Sequence, residues 1–262
     1  MPDPLTEAPF TLELQGRTLQ GHLHMPDRVR ENHAVVLVPG GLGSGTAFDA
    51  PDALITAEDI ASLGFVAVHF DPSGRGQSSG TEDYWGRRHQ DDLRAVLDFV
   101  LQHGPVKAGT AGVLSLSMGI TIAAGALAGY RGISRVEYLF DWEGPSNRWI
   151  ATLNDTMPMF QNMPTSDDGF WNTREAKNFI GNIPCGYFRY QGIVDHVQGP
   201  YKGHAIELLN LATGGKAAWT KCNDNPAGIV FDESRLEEYH WMPRIEDQKK
   251  RILACLLEVQ KR

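Results

Sequence analysis

The segment from Val113 to Leu127 constrains the fold of this chain more than any other part of the sequence. An apolar run there ends in Ser115-Leu116-Ser117-Met118-Gly119, and a stretch rich in small residues follows at once. The pattern predicts a buried strand, a sharp turn and a helix, with Ser117 at the apex of a nucleophile elbow. The flanking residues must be small because the strained turn brings the strand and the helix close together. Ser115 takes the first position of the usual G-x-S-x-G pattern, and we expect a residue of its size to fit.

Other apolar runs place this unit within a repeated alternation of strands and helices. Alternating residues around Gln15-Gly16-Arg17 predict an antiparallel hairpin of strands 10–14 and 18–24. Short apolar runs predict six further strands, at 34–38, 65–70, 111–115, 135–140, 185–190 and 217–221. Helical patterns fall between them, at 51–63, 85–102, 120–128 and 201–212, and from Pro243 onward. This alternation predicts one α/β domain, a mostly parallel sheet flanked by helices.

Composition and charge exclude other classes of protein. The 262 residues are 42% hydrophobic and 21% charged, which is ordinary for a globular protein. A core of this size needs no disulfide or metal for support. The net charge of −8 leaves no basic patch to neutralise phosphates, so we expect no nucleic-acid partner.

Cysteine usage and the N-terminal sequence predict the compartment. Cys185, Cys222 and Cys255 are odd in number, far apart and without a C-x-x-C spacing, which predicts buried free thiols. Residues 1–8 have neither the basic start nor the apolar stretch of a signal peptide. No segment approaches the roughly 18–20 apolar residues of a membrane helix. We therefore expect a cytoplasmic protein without membrane insertion, and the sequence makes no prediction of its oligomeric state.

The sequence predicts neither a metal nor a cofactor. The nine histidines are scattered along the chain. His22 and His24 lie on one face of an early strand, and we interpret them as an exposed pair rather than as metal ligands.

A serine at the apex of such a turn needs a base, and the base needs a third group that orients it. In this architecture the partners are expected in the order Ser, acid, His, at the carboxyl ends of later strands. Asp195 follows the strand predicted over 185–190, and His240 lies beyond the last strand and before the C-terminal helix. We predict Ser117, Asp195 and His240 as a catalytic triad.

Other residues compete for these three roles. Ser115 is the alternative serine, but it precedes the apex. Asp141 ends an earlier strand, from which some hydrolases take their acid, and Glu143 is nearby. His196 adjoins the predicted acid and is expected to point elsewhere. His204 begins a helix, where we expect a surface or capping role.

Taken together, these motifs resemble the α/β-hydrolase superfamily over about residues 10–260. The stretch Asp71-Pro-Ser-Gly-Arg-Gly-Gln-Ser78 resembles the D-x-x-G-x-G-x-S loop of that family. Pro39-Gly40-Gly41-Leu42 stands where the family has its H-G-type oxyanion loop. The resemblance implies an oxyanion hole built from the backbone N–H of Met118 and a second N–H from Gly41 or Leu42.

The chain departs from the family pattern in two places. Pro39 stands where the oxyanion loop usually has a histidine, so the role of that side chain does not carry over. The gap from Asp195 to His240 is longer than in compact members of the family. We interpret the extra residues, at about 223–228, as a surface loop.

Residues 144–183 interrupt the alternation at the point where this family inserts lids. We therefore divide the chain into a core domain, residues 1–143 and 184–262, and an inserted cap, residues 144–183. The insert is rich in large apolar side chains, which suggests an apolar substrate pocket. The residues predicted to line it are Trp149, Met159, Phe160, Phe170 and Trp171. A helix is expected over 174–180.

The implied activity is that of a serine hydrolase without cofactor, acting on a small-molecule ester. We expect a carboxylesterase for small to medium esters, including aromatic, feruloyl-like ones. A serine aminopeptidase, an amidase or a thioesterase is an alternative on the same fold. An exopeptidase would need a carboxylate to hold the substrate amine, for which Glu143, Asp167 and Asp168 are candidates. From another class, the alternative is a non-catalytic binding protein that has kept the hydrolase shell.

Overall fold

An eight-stranded sheet organises the part of the chain that the structure describes. The computed structural model describes residues 5–26, 33–103, 109–151, 163–164, 166–243 and 248–261. The strands are β1 (Leu5–Leu14), β2 (Arg17–Pro26), β3 (His33–Val38), β4 (Val66–Phe70), β5 (Thr110–Leu116), β6 (Val136–Trp142), β7 (Gly186–Tyr190) and β8 (Thr220–Cys222). Their order across the sheet is β1-β2-β4-β3-β5-β6-β7-β8. The β1–β2 and β2–β4 pairs are antiparallel and every other pair is parallel, which confirms the predicted sheet.

Helices cover both faces of this sheet. They are α1 (Ala57–Ser62), α2 (Arg87–Asp98), α3 (Gly119–Leu127), α4 (Arg148–Ala151), α5 (Asp168–Trp171), α6 (Lys177–Ile180), α7 (Gly203–Thr213) and α8 (Gln248–Val259). Buried residues of α2, α3, α6 and α7 join one core, and those of α1 and α8 join the other. Strand β3 contributes Ala34, Val36 and Val38 to the first core and Val35 and Leu37 to the second. Burial on both faces explains why the inner strands have continuous apolar sequences.

Some element boundaries differ from the prediction, and local chemistry explains the clearest case. The helix predicted over 51–63 begins at Ala57, because Thr56 and Asp59 form a reciprocal capping box there. The last strand lies at Thr220–Cys222 rather than at 217–221. The helix expected over 174–180 is limited to Lys177–Ile180.

The described end of the insert, residues 166–183, packs onto the body of the domain. Helix α6 contacts α3 and α7. Gln90 Nε2 on α2 donates to the carbonyl of Thr173 at 2.8 Å. Residues 152–162 lie outside the described part of the chain, so the cap itself stays a prediction.

The cysteine prediction is confirmed, since Cys185, Cys222 and Cys255 are free and buried. Among the described residues, no helix is both long enough and apolar enough to span a bilayer.

Candidate active site

Ser117 occupies a sharp turn between β5 and α3. Its φ angle is +50°, a strained value for a residue with a side chain. A Cβ on Gly119 would lie 2.8 Å from the carbonyl oxygen of Pro39, and a Cβ on Gly40 would lie 2.9 Å from that of Leu116. The strand, the helix and the glycine-rich loop can therefore meet only where glycine stands. The half-buried Ser117 contrasts with Ser115, which is fully buried.

His196, in the loop after β7, contacts Ser117. Its Nε2 lies 3.0 Å from Ser117 Oγ. Its Nδ1 lies 2.9 Å from Glu143 Oε2, and the same carboxylate oxygen accepts the backbone N–H of His196 at 3.0 Å. The ring packs against Trp142, with the ring centroids 4.3 Å apart and the ring planes tilted by 35°. Because the carboxylate fixes the proton on Nδ1, Nε2 is left as the acceptor for the serine hydroxyl.

Glu143 is held rigidly for this contact. It follows β6 with a φ angle of +49° and is only 2% exposed. Its backbone N–H donates to the carbonyl of Tyr190 at 3.1 Å, and its Oε1 accepts the N–H of Gly192 at 2.8 Å. A Cβ on Gly192 would lie 2.6 Å from that oxygen. Gly192 therefore lets the loop after β7 close around the carboxylate.

The predicted acid, Asp195, lies beside the same imidazole but farther away. Its Oδ1 is 3.4 Å from His196 Nδ1 and accepts the backbone N–H groups of Val197 and Gln198 at 2.8 and 3.0 Å. Burial opposes its charge, but the N–H groups of Gln198 and Val197 and the side chain of Gln191 hold the pKa of Asp195 below its ordinary value. Asp195 is thus a second carboxylate at His196, one that also shapes the loop.

The predicted base, His240, is not brought to Ser117. Its backbone is held by two asparagines that follow β8: the N–H donates to Asn225 Oδ1 at 2.9 Å, and the carbonyl accepts the Nδ2 groups of Asn223 and Asn225. The residue is exposed. The hydrogen bonds from Asn223 and Asn225, which follow the short β8, fix the backbone of His240. The ring of His196 occupies the position beside Ser117.

The other candidates lie in a buried polar layer beneath the site. Asp141 pairs with Arg189 at 2.5 Å and accepts the Tyr187 hydroxyl at 2.8 Å, so its carboxylate is already used. His204 is fully buried, not on the surface as expected, because its helix packs against the sheet. Burial and the neighbouring Arg189 lower the pKa of His204 to about 3, so the ring is neutral at pH 7.

The side chains of Trp85 and Arg75 hold the predicted oxyanion loop in place. The carbonyl of Gly41 accepts the indole N–H of Trp85 at 2.6 Å and Arg75 Nη1 at 3.1 Å. Within the described residues, the N–H groups of Met118, Gly41 and Leu42 have no hydrogen-bond acceptor. They are available to a developing oxyanion, and the oxyanion hole stays a prediction.

The D-x-x-G-x-G-x-S loop forms a turn that is held together by hydrogen bonds to its first residue, Asp71. Asp71 accepts the N–H groups of Gly45 and Gln77, both at 2.7 Å. A Cβ on Gly76 would lie 2.1 Å from Asp71 Oδ2. The Ser78 hydroxyl donates to the carbonyl of Asp71 at 2.6 Å. These contacts fix the conformation of the loop that carries Arg75.

Of the five residues predicted to line a pocket, the three that the structure describes do not line the cavity beside His196. Trp171 is fully buried, Trp149 is 63% exposed, and Phe170 lies under the guanidinium of Arg174 at 4.1 Å. Met159 and Phe160 lie outside the described residues. A cavity of about 340 Å³ does open beside His196, lined by Trp142, Glu143, Tyr190, Gly192, Val194, Asp195, His196, Met242, Pro243 and Gln248.

The pairing of Glu143 with His196 was not predicted from the sequence, although both residues are among the candidates there. The available signal was their position directly after consecutive predicted strands, which lie side by side in a parallel sheet. Glu143, Asp195 and His196 also bring donor atoms within 4.8 Å of one another, as a metal site would. Both His196 nitrogens already have partners in Ser117 and Glu143, so a proton relay accounts for the group.

Comparison with known proteins supports the fold. No protein-family model and no curated protein matches the sequence. An esterase of Pyrococcus furiosus has a TM-score of 0.66 at 16% identity, over 99% of this chain and 92% of that one. An S-formylglutathione hydrolase from Agrobacterium tumefaciens has a TM-score of 0.65 at 14% identity, over 98% and 95%. An acylaminoacyl peptidase of Pyrococcus horikoshii has a TM-score of 0.67 at 12% identity, over 98% of this chain but 41% of that one. The chain has the α/β-hydrolase fold, as its motifs predicted.

Proposed function

We propose that this chain is a serine hydrolase, a carboxylesterase for small to medium esters, in which Ser117, His196 and Glu143 form the catalytic relay. One observation carries the proposal: His196 bridges the serine hydroxyl at 3.0 Å and a buried carboxylate at 2.9 Å. A nucleophile, its base and the orienter of that base are the three parts that acyl transfer requires.

In the first half of the reaction, Ser117 Oγ attacks the ester carbonyl while His196 Nε2 takes its proton. The tetrahedral intermediate places its oxyanion against the N–H of Met118 and an N–H of Gly41 or Leu42. His196 then gives the proton to the departing alkoxide, and the acyl group stays on Ser117.

In the second half, a water molecule attacks the acyl carbonyl while His196 Nε2 takes its proton. His196 then returns that proton to Ser117 Oγ as the bond to the acyl group breaks and the acid product leaves. Glu143 holds Nδ1 protonated and stabilises the imidazolium formed in both halves. Asp195, 3.4 Å from the same nitrogen, adds negative charge and fixes the loop that carries His196.

The three carboxylates that are candidates for binding a substrate amine favour an ester over the amine end of a peptide. Glu143 is bound to His196, and Asp167 caps α5 by accepting the N–H of Phe170 at 3.0 Å. Asp168 pairs with Arg148 at 2.7 Å. Each of the three candidates for a substrate amine therefore has another partner. The P. furiosus esterase and an acetyl xylan esterase from Thermoanaerobacterium, with a TM-score of 0.62 at 16% identity, are neighbours of matching activity.

A p-nitrophenyl ester series from acetate to laurate, run beside an aminoacyl p-nitroanilide, tests the proposal. Wild type should hydrolyse the esters, and Ser117→Ala should lose at least about 10³-fold in kcat. Ser115→Ala is the matched control and should keep the activity. Turnover of the anilide alone would indicate a peptidase. Ester turnover that survives in Ser117→Ala, or no turnover of any substrate, would contradict the proposal.

A further inference from the structure

A second cluster of titratable side chains lies away from Ser117, where the N-terminal hairpin meets β4. His24 on β2, His69 on β4 and Asp49, which follows the short helix Gly45–Phe48, point toward one another. The two Nε2 atoms are 3.3 Å apart. Asp49 Oδ1 lies 3.3 Å from Nε2 of His24 and 2.9 Å from Nε2 of His69.

We propose that this cluster is a structural Zn²⁺ site. Zinc binds imidazole nitrogen and carboxylate oxygen at about 2.0–2.2 Å in a tetrahedral arrangement, which puts its donor atoms about 3.3 Å from one another. The three separations in this cluster fit three corners of such a tetrahedron. Two imidazoles and a carboxylate are also a donor set that suits zinc.

We assign His22 as the fourth donor. A ring nitrogen of His22 lies within 4.8 Å of the donor atoms of Asp49 and His69. Its Nδ1 is 2.6 Å from Glu7 Oε1 on β1, so Nε2 is the nitrogen left for the metal. A carboxylate on the far nitrogen of a ligating histidine fixes its orientation and raises its basicity.

The pairing of β2 with β4 positions the histidine donors in the absence of a bound ion. His22 and His69 are directly paired across β2 and β4, and their rings stack with centroids 5.3 Å apart. His69 is 1% exposed and His24 is 9% exposed, so the interpretation of His22 and His24 as an exposed pair was wrong for His24. An ion bound here would join β2 and β4 to the chain at Asp49. Because it would bind the folded chain, zinc should stabilise the protein rather than take part in acyl transfer.

The experiment measures zinc binding by the full chain after removal of metals with a chelator. Zn²⁺ is titrated against a chromophoric competitor, and Co²⁺ replaces it as a spectroscopic probe of tetrahedral coordination. We expect one Zn²⁺ per chain, a visible Co²⁺ spectrum of tetrahedral type and a higher Tm with zinc. Asp49→Asn and the half-exposed His22→Gln should each weaken binding at least about 10-fold.

Two controls make the result specific. Asp52→Asn, three residues beyond the ligand, and Ser117→Ala should both bind zinc like wild type. If wild type binds no more zinc than Asp49→Asn and His22→Gln, or if Co²⁺ gives only an octahedral spectrum, the cluster is a metal-free hydrogen-bond network and the proposal fails.

Discussion

Nδ1 of His196 lies 2.9 Å from Oε2 of Glu143, although the two residues are 53 positions apart in sequence. They meet because β6 and β7 pair in parallel and both strands end at the same edge of the sheet. The N–H of Glu143 donates to the carbonyl of Tyr190, the last residue of β7. The acid and the base of the proposed relay are therefore positioned by one strand pair.

The two carboxylates beside His196 should contribute unequally to catalysis. Glu143→Gln removes the charge at 2.9 Å and favours the wrong tautomer of His196, so we expect kcat to fall by about 10³- to 10⁴-fold with little change in KM. Asp195→Asn acts from 3.4 Å and should lower kcat less. Steady-state kinetics on one ester, with circular dichroism to verify folding, measure the difference. A larger loss of kcat in Asp195→Asn would restore Asp195 as the acid.

Arg75 should act as a positioning residue for the oxyanion loop. Its Nη1 donates to the carbonyls of Gly41 and Gly43, while Glu82 grips its Nε and Nη2 at 2.7 and 2.8 Å. Lysine cannot make this forked contact, so Arg75→Lys should shift the loop and lower kcat by about 10- to 100-fold, with KM nearly unchanged. Arg88→Lys, which loses a similar bond to a backbone carbonyl, is the control. An unchanged kcat in Arg75→Lys would show that the loop does not need this anchor.

His33 should make the fold less stable in acid. Burial lowers the pKa of His33 to about 4, against about 6.5 in an unfolded chain. As pH falls from about 6.5 to about 4, His33 becomes protonated in the unfolded chain but stays neutral in the folded chain. The free energy of unfolding should therefore drop by about 2–3 kcal/mol between pH 7.5 and 4.5 through this group.

Urea unfolding of wild type and His33→Asn at the two pH values, in the presence of chelator, isolates that contribution. His33→Asn should show a smaller drop in stability between pH 7.5 and 4.5, whatever its stability at pH 7.5. His240→Asn, a change at an exposed histidine, should follow wild type. Equal drops in wild type and His33→Asn would contradict the assignment.

Local patterns were enough to predict the sheet and the nucleophile turn. The apolar run before Ser117 is buried on both faces, and the small residues Gly40 and Gly119 are required by contacts closer than a side chain allows. Such features depend on neighbours in sequence and on simple packing. They can therefore be predicted from the sequence without knowledge of the register of the sheet.

The partners of Ser117 depend on long-range register, which the sequence does not display. His196 was expected to point away because it adjoins Asp195, but the loop after β7 turns its ring toward the serine and its N–H toward Glu143. His204 was expected in a surface or capping role, yet it is fully buried. The role of such a residue depends on the orientation of the loop or helix that carries it. That orientation is determined by contacts between elements that are distant in sequence.

The most direct test of the account compares two histidine variants on one ester substrate. We predict that His196→Ala lowers kcat/KM by at least about 10³-fold, because Ser117 loses its base, while His240→Ala keeps the wild-type value. Both variants should be checked for an unchanged Tm. Loss of activity in His240→Ala with full activity in His196→Ala would contradict the account and return the base to His240.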